Sequence, residues 1–328
     1  MGDGQRSDSY QRASSVLRSL PRRIQRGSEV AKAHHIGKGM VKDIDQVLST
    51  GKLERLEHLK QEPRNAVCMD LCRVHGVGPQ TALAWYRSGV RSVEEARRRL
   101  VDGDDLPLMK QDTILGLTHF DDLQVAINRD EVSGIAEEVR EEAERYGRQR
   151  DPGGTVLFEV CGGFRRGKET LHDVDMLVSF RKENGDSDHL GFVEGMKKRL
   201  VESGKLCATL FQGHMGGFGD KKDESRVSSL EREEVLLGLW QLPGRKCRID
   251  IVQVAFAQWP FAVLGWSGTV MFEKDIRRYA NDVMGLKLSQ KGLSSVASGT
   301  PLLDTFRTEE EIFRRLGLEY IPPHLRWA

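Results

Sequence analysis

From residue 8 to residue 150 apolar residues recur at helical spacing. Val16, Leu17 and Leu20 begin the pattern, and Met40, Val41, Ile44, Val47 and Leu48 continue it. Glycine-bearing turns at 35–39, 50–52, 75–79 and 88–90 separate the helices. Across 131–146 Val132, Ile135, Ala136, Val139 and Ala143 share one face of an amphipathic helix. Pro152, Gly153 and Gly154 break that pattern, and strand-like sequence follows at 155–161, 174–180, 235–242 and 248–254. A helix is predicted over 189–201, between the second and third strands. Residues 213–234 have no clear period and read as a long exposed loop. After Trp259, helices over 270–280 and 309–316 alternate with short apolar segments. The pattern predicts an α+β multidomain chain, helical first and sheet-bearing afterwards.

With 328 residues, 38% hydrophobic and 30% charged, the chain can bury the cores of two or three units. Fifty basic residues against 49 acidic ones, net +1, exclude a uniformly basic, histone-like protein. Charge distribution keeps nucleic acid open as a partner, because residues 1–60 hold twelve Lys/Arg and seven Asp/Glu. No apolar run approaches the ~20 residues of a membrane span, and the first residues lack a signal-peptide core. The five cysteines form no CxxC pair, which argues against a zinc site or a disulfide scaffold. A soluble intracellular chain with no membrane partner is the expectation.

The stretch Val74-His75-Gly76-Val77-Gly78-Pro79 fits a helix–hairpin–helix turn. Two glycines permit a tight turn that aims backbone N–H groups and the next helix start at a phosphate. Such a module grips the DNA backbone without reading sequence. An ordinary helical hairpin with a glycine C-cap would look the same. His35-Ile36-Gly37-Lys38-Gly39 resembles a degenerate second copy about forty residues earlier, which favours DNA.

The chemistry concentrates between Val160 and Val178. Asp173 and Asp175 stand two apart at the start of a predicted strand, so both carboxylates point to one face. Asp250 stands alone between Ile249 and Ile251 in a later apolar strand. Paired carboxylates can hold Mg²⁺ ions that share oxygens with substrate phosphates, and charges in strands that otherwise read as core need a reason. Gly162 through Lys168 also matches the front of a P-loop. Glu169 stands where Ser or Thr should follow, and a strand comes next instead of a long helix, so that reading fails.

Gly162-Gly163-Phe164-Arg165-Arg166-Gly167-Lys168 followed by His172-Asp173-Val174-Asp175 resembles the nucleotidyltransferase motif of the X family of DNA polymerases. The form is that of its mu and terminal-transferase branch. Residues 261–268 and 311–320 are similar to the same branch, and the likeness runs from about Ser7 to the end. It implies a lyase-like helix–hairpin–helix domain at 1–60, fingers at 61–128, a palm at 129–258 and a nucleotide-selecting subdomain at 259–328. It also implies two-metal chemistry with Mg²⁺, or Mn²⁺ in its place, on Asp173, Asp175 and Asp250. Gly162, Gly163, Arg166, Gly167, Lys168, His172, Gly265, Trp266, Gly268 and Arg277 would bind the nucleotide. Gly37, Gly76, Val77, Gly78 and Arg278 would touch DNA. The carbonyls of Cys72, Val74 and Val77 would hold Na⁺ or K⁺. Arg165 reads equally as a phosphate contact or a structural ion pair.

The resemblance further implies a nuclear monomer that fills gaps and joins broken ends, using deoxynucleotides, ribonucleotides and end-joining factors. Several positions depart from the pattern. Asp43 stands where lyase-active members carry a Schiff-base lysine, and neither the leading lyase helix nor a BRCT domain is recognisable. Glu273 replaces an amide that donates to the base edge in relatives. Gly265 stands where ribonucleotide-excluding members carry a tyrosine. The 204–243 segment resembles the long connector of the mu and terminal-transferase branch, which can stand in for missing template, more than the short one of other members. A template-independent terminal transferase is therefore one alternative, and a non-catalytic DNA-end-binding scaffold is another.

Overall fold

The computed structural model describes residues 2–185, 191–215, 233–302 and 304–326. The chain divides after Asp121 into two compact units. In the first, helices α1 (Gly2–Arg18), α2 (Lys38–Thr50), α3 (Glu54–Gln61), α4 (Pro63–Leu71), α5 (Pro79–Arg87), α6 (Val93–Asp102) and α7 (Gln111–Thr118) follow one another. Pro63 and Pro79 open α4 and α5, where a missing N–H costs nothing. Ser92 caps α6 by accepting the Glu95 N–H at 3.1 Å. Two apolar clusters form in this unit. Ala13, Val30 and Ile36 collect Val16, Leu17, Val41 and Ile44, and Leu71, Val74, Val77, Trp85 and Leu117 make the other. Fully buried Trp85 donates its indole N–H to the Pro107 carbonyl at 2.8 Å.

Helix α8 (Phe120–Gln124) carries the boundary. The second unit then runs β1 (Ile127–Asn128), α9 (Arg129–Arg150), β2 (Thr155–Val160), α10 (Gly162–Arg165), β3 (Thr170–Leu171), β4 (Asp173–Arg181) and α11 (Phe192–Glu202). After these come β5 (Leu206–Met215), β6 (Glu233–Leu242), β7 (Arg245–Gln253), α12 (Trp259–Ser267), α13 (Val270–Asp282), β8 (Leu286–Ser289), β9 (Gly292–Ser295) and α14 (Glu309–Arg315). Five strands form one sheet in the order β2-β4-β7-β6-β5. Every pairing in it is antiparallel except β4 with β7.

Strand alternation sorts the two faces. Val174, Met176, Val178, Ile249 and Ile251 pack beneath α9 and α11 with Val132, Ile135, Val139, Phe192 and Met196. Leu177, Val235 and Val252 pack on the other side against Ala262 and Val263 of α12. Asp173 and Asp175 alternate with Val174 and Met176, so they fall on the α12 face. Phe261, Phe272, Ile276, Leu288 and Phe313 form a further cluster that fixes α13, α14 and the β8–β9 hairpin to α12.

The sequence reading needs three corrections here. Residues 213–215 and 233–234 belong to strands β5 and β6, so the loop predicted over 213–234 is shorter at both ends; 216–232 lie outside the described residues. The whole of β5, Leu206–Met215, has no counterpart among the strands expected from the sequence, because the pairing with β6 that defines it, out to Met215↔Glu233, is not a local property. The helix predicted over 189–201 spans Phe192–Glu202, and 186–190 lie outside the described residues. Two of the short C-terminal apolar segments are a hairpin, β8–β9.

Candidate active site

The parallel β4–β7 pairing sets Asp173 beside Arg248 and Asp175 beside Asp250. Carboxylate oxygens of Asp173, Asp175 and Asp250 lie within 4.8 Å of one another. Asp250 is only 6% exposed. Burial, then the charges of Asp173 and Asp250, push the Asp175 carboxyl well above its ordinary range. Burial and Asp173 push Asp250 up as well, against the pull of Arg248. Three carboxylates crowded at low dielectric need a compensating cation. Arg248 supplies part of that charge. It donates from Nε to Asp250 at 3.1 Å and from Nη2 to Asp250 at 3.2 Å, and also bonds Asp173. Burial disfavours the Arg248 charge, but Asp250, Asp173 and Asp175 outweigh it and hold its pKa up. An all-oxygen donor set held this close fits a hard divalent cation.

The Gly162–Lys168 segment lies over these carboxylates. Gly162 has φ +54°, and a Cβ there would overlap the Asp175 carboxylate, so only glycine serves. The Cys161 N–H donates to the Asp175 carbonyl at 2.8 Å and ties the segment to β4. The first N–H groups of α10 have no intrahelical acceptor. Arg166 donates from Nη1 to the Ser267 carbonyl, while its buried Nε lacks a partner. Burial lowers its pKa, opposed by Asp175, Asp173 and Glu273. Gly167 has φ +81°; Lys168 and His172 are exposed nearby along the chain.

Arg165 resolves as a structural ion pair. It donates from Nε to Glu159 at 3.1 Å, from Nη1 to Ser267 Oγ at 2.7 Å and from Nη2 to Glu309 at 2.7 Å. Glu309, 5% exposed, is shared with fully buried Arg326 at 2.7 Å. Arg326 lies over the rings of Phe272, Phe313 and Tyr320. The sequence reading missed Arg248, Glu309 and Arg326. Arg248 had a signal, a basic residue two before Asp250 on the same strand face. The other two have none, because only the tertiary fold brings them together.

Gly265 and Trp266 belong to the last turn of α12, not to a loop, and Gly265 has no positive φ. A glycine inside a helix costs roughly 1 kcal/mol relative to alanine. Space accounts for it here: a Cβ on Gly265 would lie 2.7 Å from Gln290 Cγ. Gly268 does have φ +61° and would place a Cβ 3.1 Å from Arg166 Nη1. The buried Trp266 Nε1 has no acceptor. Arg277 bonds Glu273 at 2.8 Å and Arg278 bonds Asp275 at 3.0 Å, so both arginines are paired within α13. Burial raises the Glu273 carboxyl to about 7, with Arg277 and Arg166 pulling the other way. Near neutral pH this side chain is protonated part of the time, and the protonated form donates a hydrogen bond that the ionised form cannot.

In the first unit Gly76 has φ +85°, Gly78 caps α5 and Val77 donates its N–H to Val74 O at 3.0 Å. The Val74 carbonyl keeps one lone pair, and the Cys72 and Val77 carbonyls lie on the same turn. Gly37 caps α2 in the same way, with ordinary φ −85°. Asp43 accepts the Tyr10 hydroxyl at 3.0 Å.

A mixed sheet with three carboxylates on one face, under a glycine-bearing segment with free N–H groups, is a nucleotidyltransferase-type palm. The family model for the DNA polymerase beta palm matches residues 126–254, and that for the beta thumb matches 262–327. The fingers domain of DNA polymerase lambda matches 70–124, and a helix-hairpin-helix domain matches 1–53. The chain belongs to the X family of DNA polymerases. It is 32% identical to human DNA-directed DNA/RNA polymerase mu, over 97% of this chain and 64% of that protein. It is 31% identical to Arabidopsis thaliana DNA polymerase lambda, over 99% and 59%. It is 28% identical to Xenopus laevis DNA nucleotidylexotransferase, over 98% and 64%. It thus spans about three fifths of the length of these curated relatives.

Proposed function

We propose that this chain is a mu-like DNA polymerase that extends primer 3′-hydroxyls in gaps and at broken ends, in the nucleus, as a monomer. The observation that carries the reading is the convergence of Asp173, Asp175 and Asp250 beneath the Gly162–Gly163 segment. The reading divides the chain into a lyase-like part (1–60), fingers (61–128), palm (129–258) and nucleotide-selecting part (259–328). Mg²⁺ or Mn²⁺, when bound, polarises the α-phosphate and lowers the pKa of the attacking hydroxyl. Asp173 and Asp175 would hold the nucleotide-side cation, and all three carboxylates would hold the one at the primer. Arg166 and the N–H groups of Gly162 and Gly163 receive the charge that develops on the leaving pyrophosphate. Gly167, Lys168 and His172 lie along the triphosphate, and Gly268 leaves Arg166 free to turn toward it.

Gly76, Val77 and Gly78, with Gly37 in the degenerate copy, grip DNA phosphates through backbone N–H groups. The Cys72, Val74 and Val77 carbonyls would hold Na⁺ or K⁺, which would steady that contact. Arg277 reaches the incoming nucleotide after leaving Glu273, and Arg278 reaches DNA after leaving Asp275. Residues 265–266 receive the nucleotide sugar. With no side chain at Gly265 the enzyme accepts ribonucleotides, in keeping with a relative named for both DNA and RNA. The lyase activity of some relatives is absent, since Asp43 holds Tyr10 where a Schiff-base lysine is required. Borohydride should trap no adduct on a 5′-deoxyribose-phosphate end, and trapping lost in Lys42→Ala would overturn that point.

The test of the whole reading is primer extension on gapped, blunt-ended and single-stranded DNA with all four nucleotides. Gap filling should exceed untemplated addition. The reverse ranking would establish the terminal-transferase alternative, and no extension with either metal would establish a DNA-end-binding scaffold.

A further inference from the structure

The β8–β9 hairpin turns at Gln290 and Lys291, and the turn is held from within. Ser289 Oγ donates to the Gly292 carbonyl at 3.2 Å and accepts the Lys291 N–H at 3.2 Å. Leu286, Leu288 and Leu293 of the same hairpin are buried with Phe261 and Leu264 of α12. The position of Gln290 against α12 is therefore fixed by packing. Its side chain lies on the bare Cα of Gly265, where a Cβ would stand 2.7 Å from Cγ and 3.2 Å from Nε2. Gln290 is half-buried, and among the described residues its carboxamide makes no hydrogen bond to the protein. Half-buried polar groups usually find partners. A carboxamide held in place on a bare Cα and bonded to nothing in the protein stands ready for a polar ligand.

We propose that Gln290 is a specificity-determining residue that reads the sugar of the incoming nucleotide, its carboxamide hydrogen-bonding the 2′-hydroxyl of a ribonucleotide. The inference rests on the reading that residues 265–266 receive the sugar. A carboxamide both donates and accepts, as a 2′-hydroxyl does, so either polarity is satisfied. A 2′-deoxy sugar leaves the amide to water. The glycine thus admits the ribose, and the glutamine rewards it. A neutral hydrogen bond of this kind corresponds to about a three- to tenfold preference.

The test compares kcat/KM for GTP and dGTP opposite template C in a one-nucleotide gap and follows their ratio. Gln290→Met keeps the volume and removes the hydrogen-bonding groups; Gln290→Leu is a second variant of similar size. Both should lower the GTP/dGTP ratio three- to tenfold. Gly265→Tyr in a Gln290→Ala background, which makes room for the ring, should lower it much further. If Gly265→Tyr shifts the ratio but neither glutamine variant does, Gln290 is only a filler and the proposal falls. If no variant shifts it, the placement of the sugar at residues 265–266 falls with it.

Discussion

Asp250 lies at one register position with Asp175 and takes two hydrogen bonds from Arg248, so its loss removes one of the three clustered carboxylates and leaves that guanidinium short of partners. Asp250→Ala should reduce single-nucleotide insertion at least a thousandfold; synthesis within tenfold of wild type would refute its assignment. Glu233 illustrates a different cost. It is 1% exposed with both carboxylate oxygens unpartnered, and burial raises it to about 7 from 4.5, with Lys291 relieving part of the penalty. A carboxyl raised by folding contributes stability that is present in full below pH 4.5 and lost as pH rises through 7. Glu233→Gln should therefore stabilise the protein at pH 8, by on the order of 2 kcal/mol, and change little at pH 4. Equal urea midpoints for the two proteins at pH 8 would contradict this. The aspartates were legible from spacing alone, because alternation puts i and i+2 on one face. Glu233 was not, since nothing local distinguishes the first of two adjacent glutamates at a strand start from an exposed one.

The strands legible in the sequence were those with a continuous apolar run and breakers on both sides. β5 failed that criterion because Gly213 and His214 interrupt it, and the pairing with β6 that defines it is not a local property. Helices with glycine turns read well; the β8–β9 hairpin, four residues a side, was too short to stand out. The corrected ends of β5 and β6 confine any connector deletion to 216–232, because trimming 213–215 or 233–234 would remove paired strand residues. Deleting 216–232 should leave gap filling within about threefold and impair extension of ends with no paired template beneath the primer. Equal loss of both activities, measured by single-turnover extension, would make the connector structural.

Across the whole molecule, charge and chemistry are divided. The positive excess lies in residues 1–60, and the carboxylate cluster lies in the other unit. Asp250→Ala should therefore still bind gapped DNA, its Kd rising roughly 10- to 100-fold between 50 and 200 mM salt, as counterion release at a few phosphates requires. A salt-independent Kd, read by fluorescence anisotropy, would remove the backbone-gripping role of the hairpins. The order of helical and sheet-bearing parts was legible from the switch in period at residues 150–155. The joining of distant segments was not: Arg165 and Arg326 meet on Glu309 only through the fold. That meeting has a practical side. An exopeptidase digesting from the carboxyl end must pull Arg326 out from among three aromatic rings and away from the glutamate it shares with the glycine segment. The rate at which such trimming stalls or proceeds there becomes a remote gauge of how firmly the Gly162–Lys168 segment is held, readable by mass spectrometry with no DNA or nucleotide in the tube.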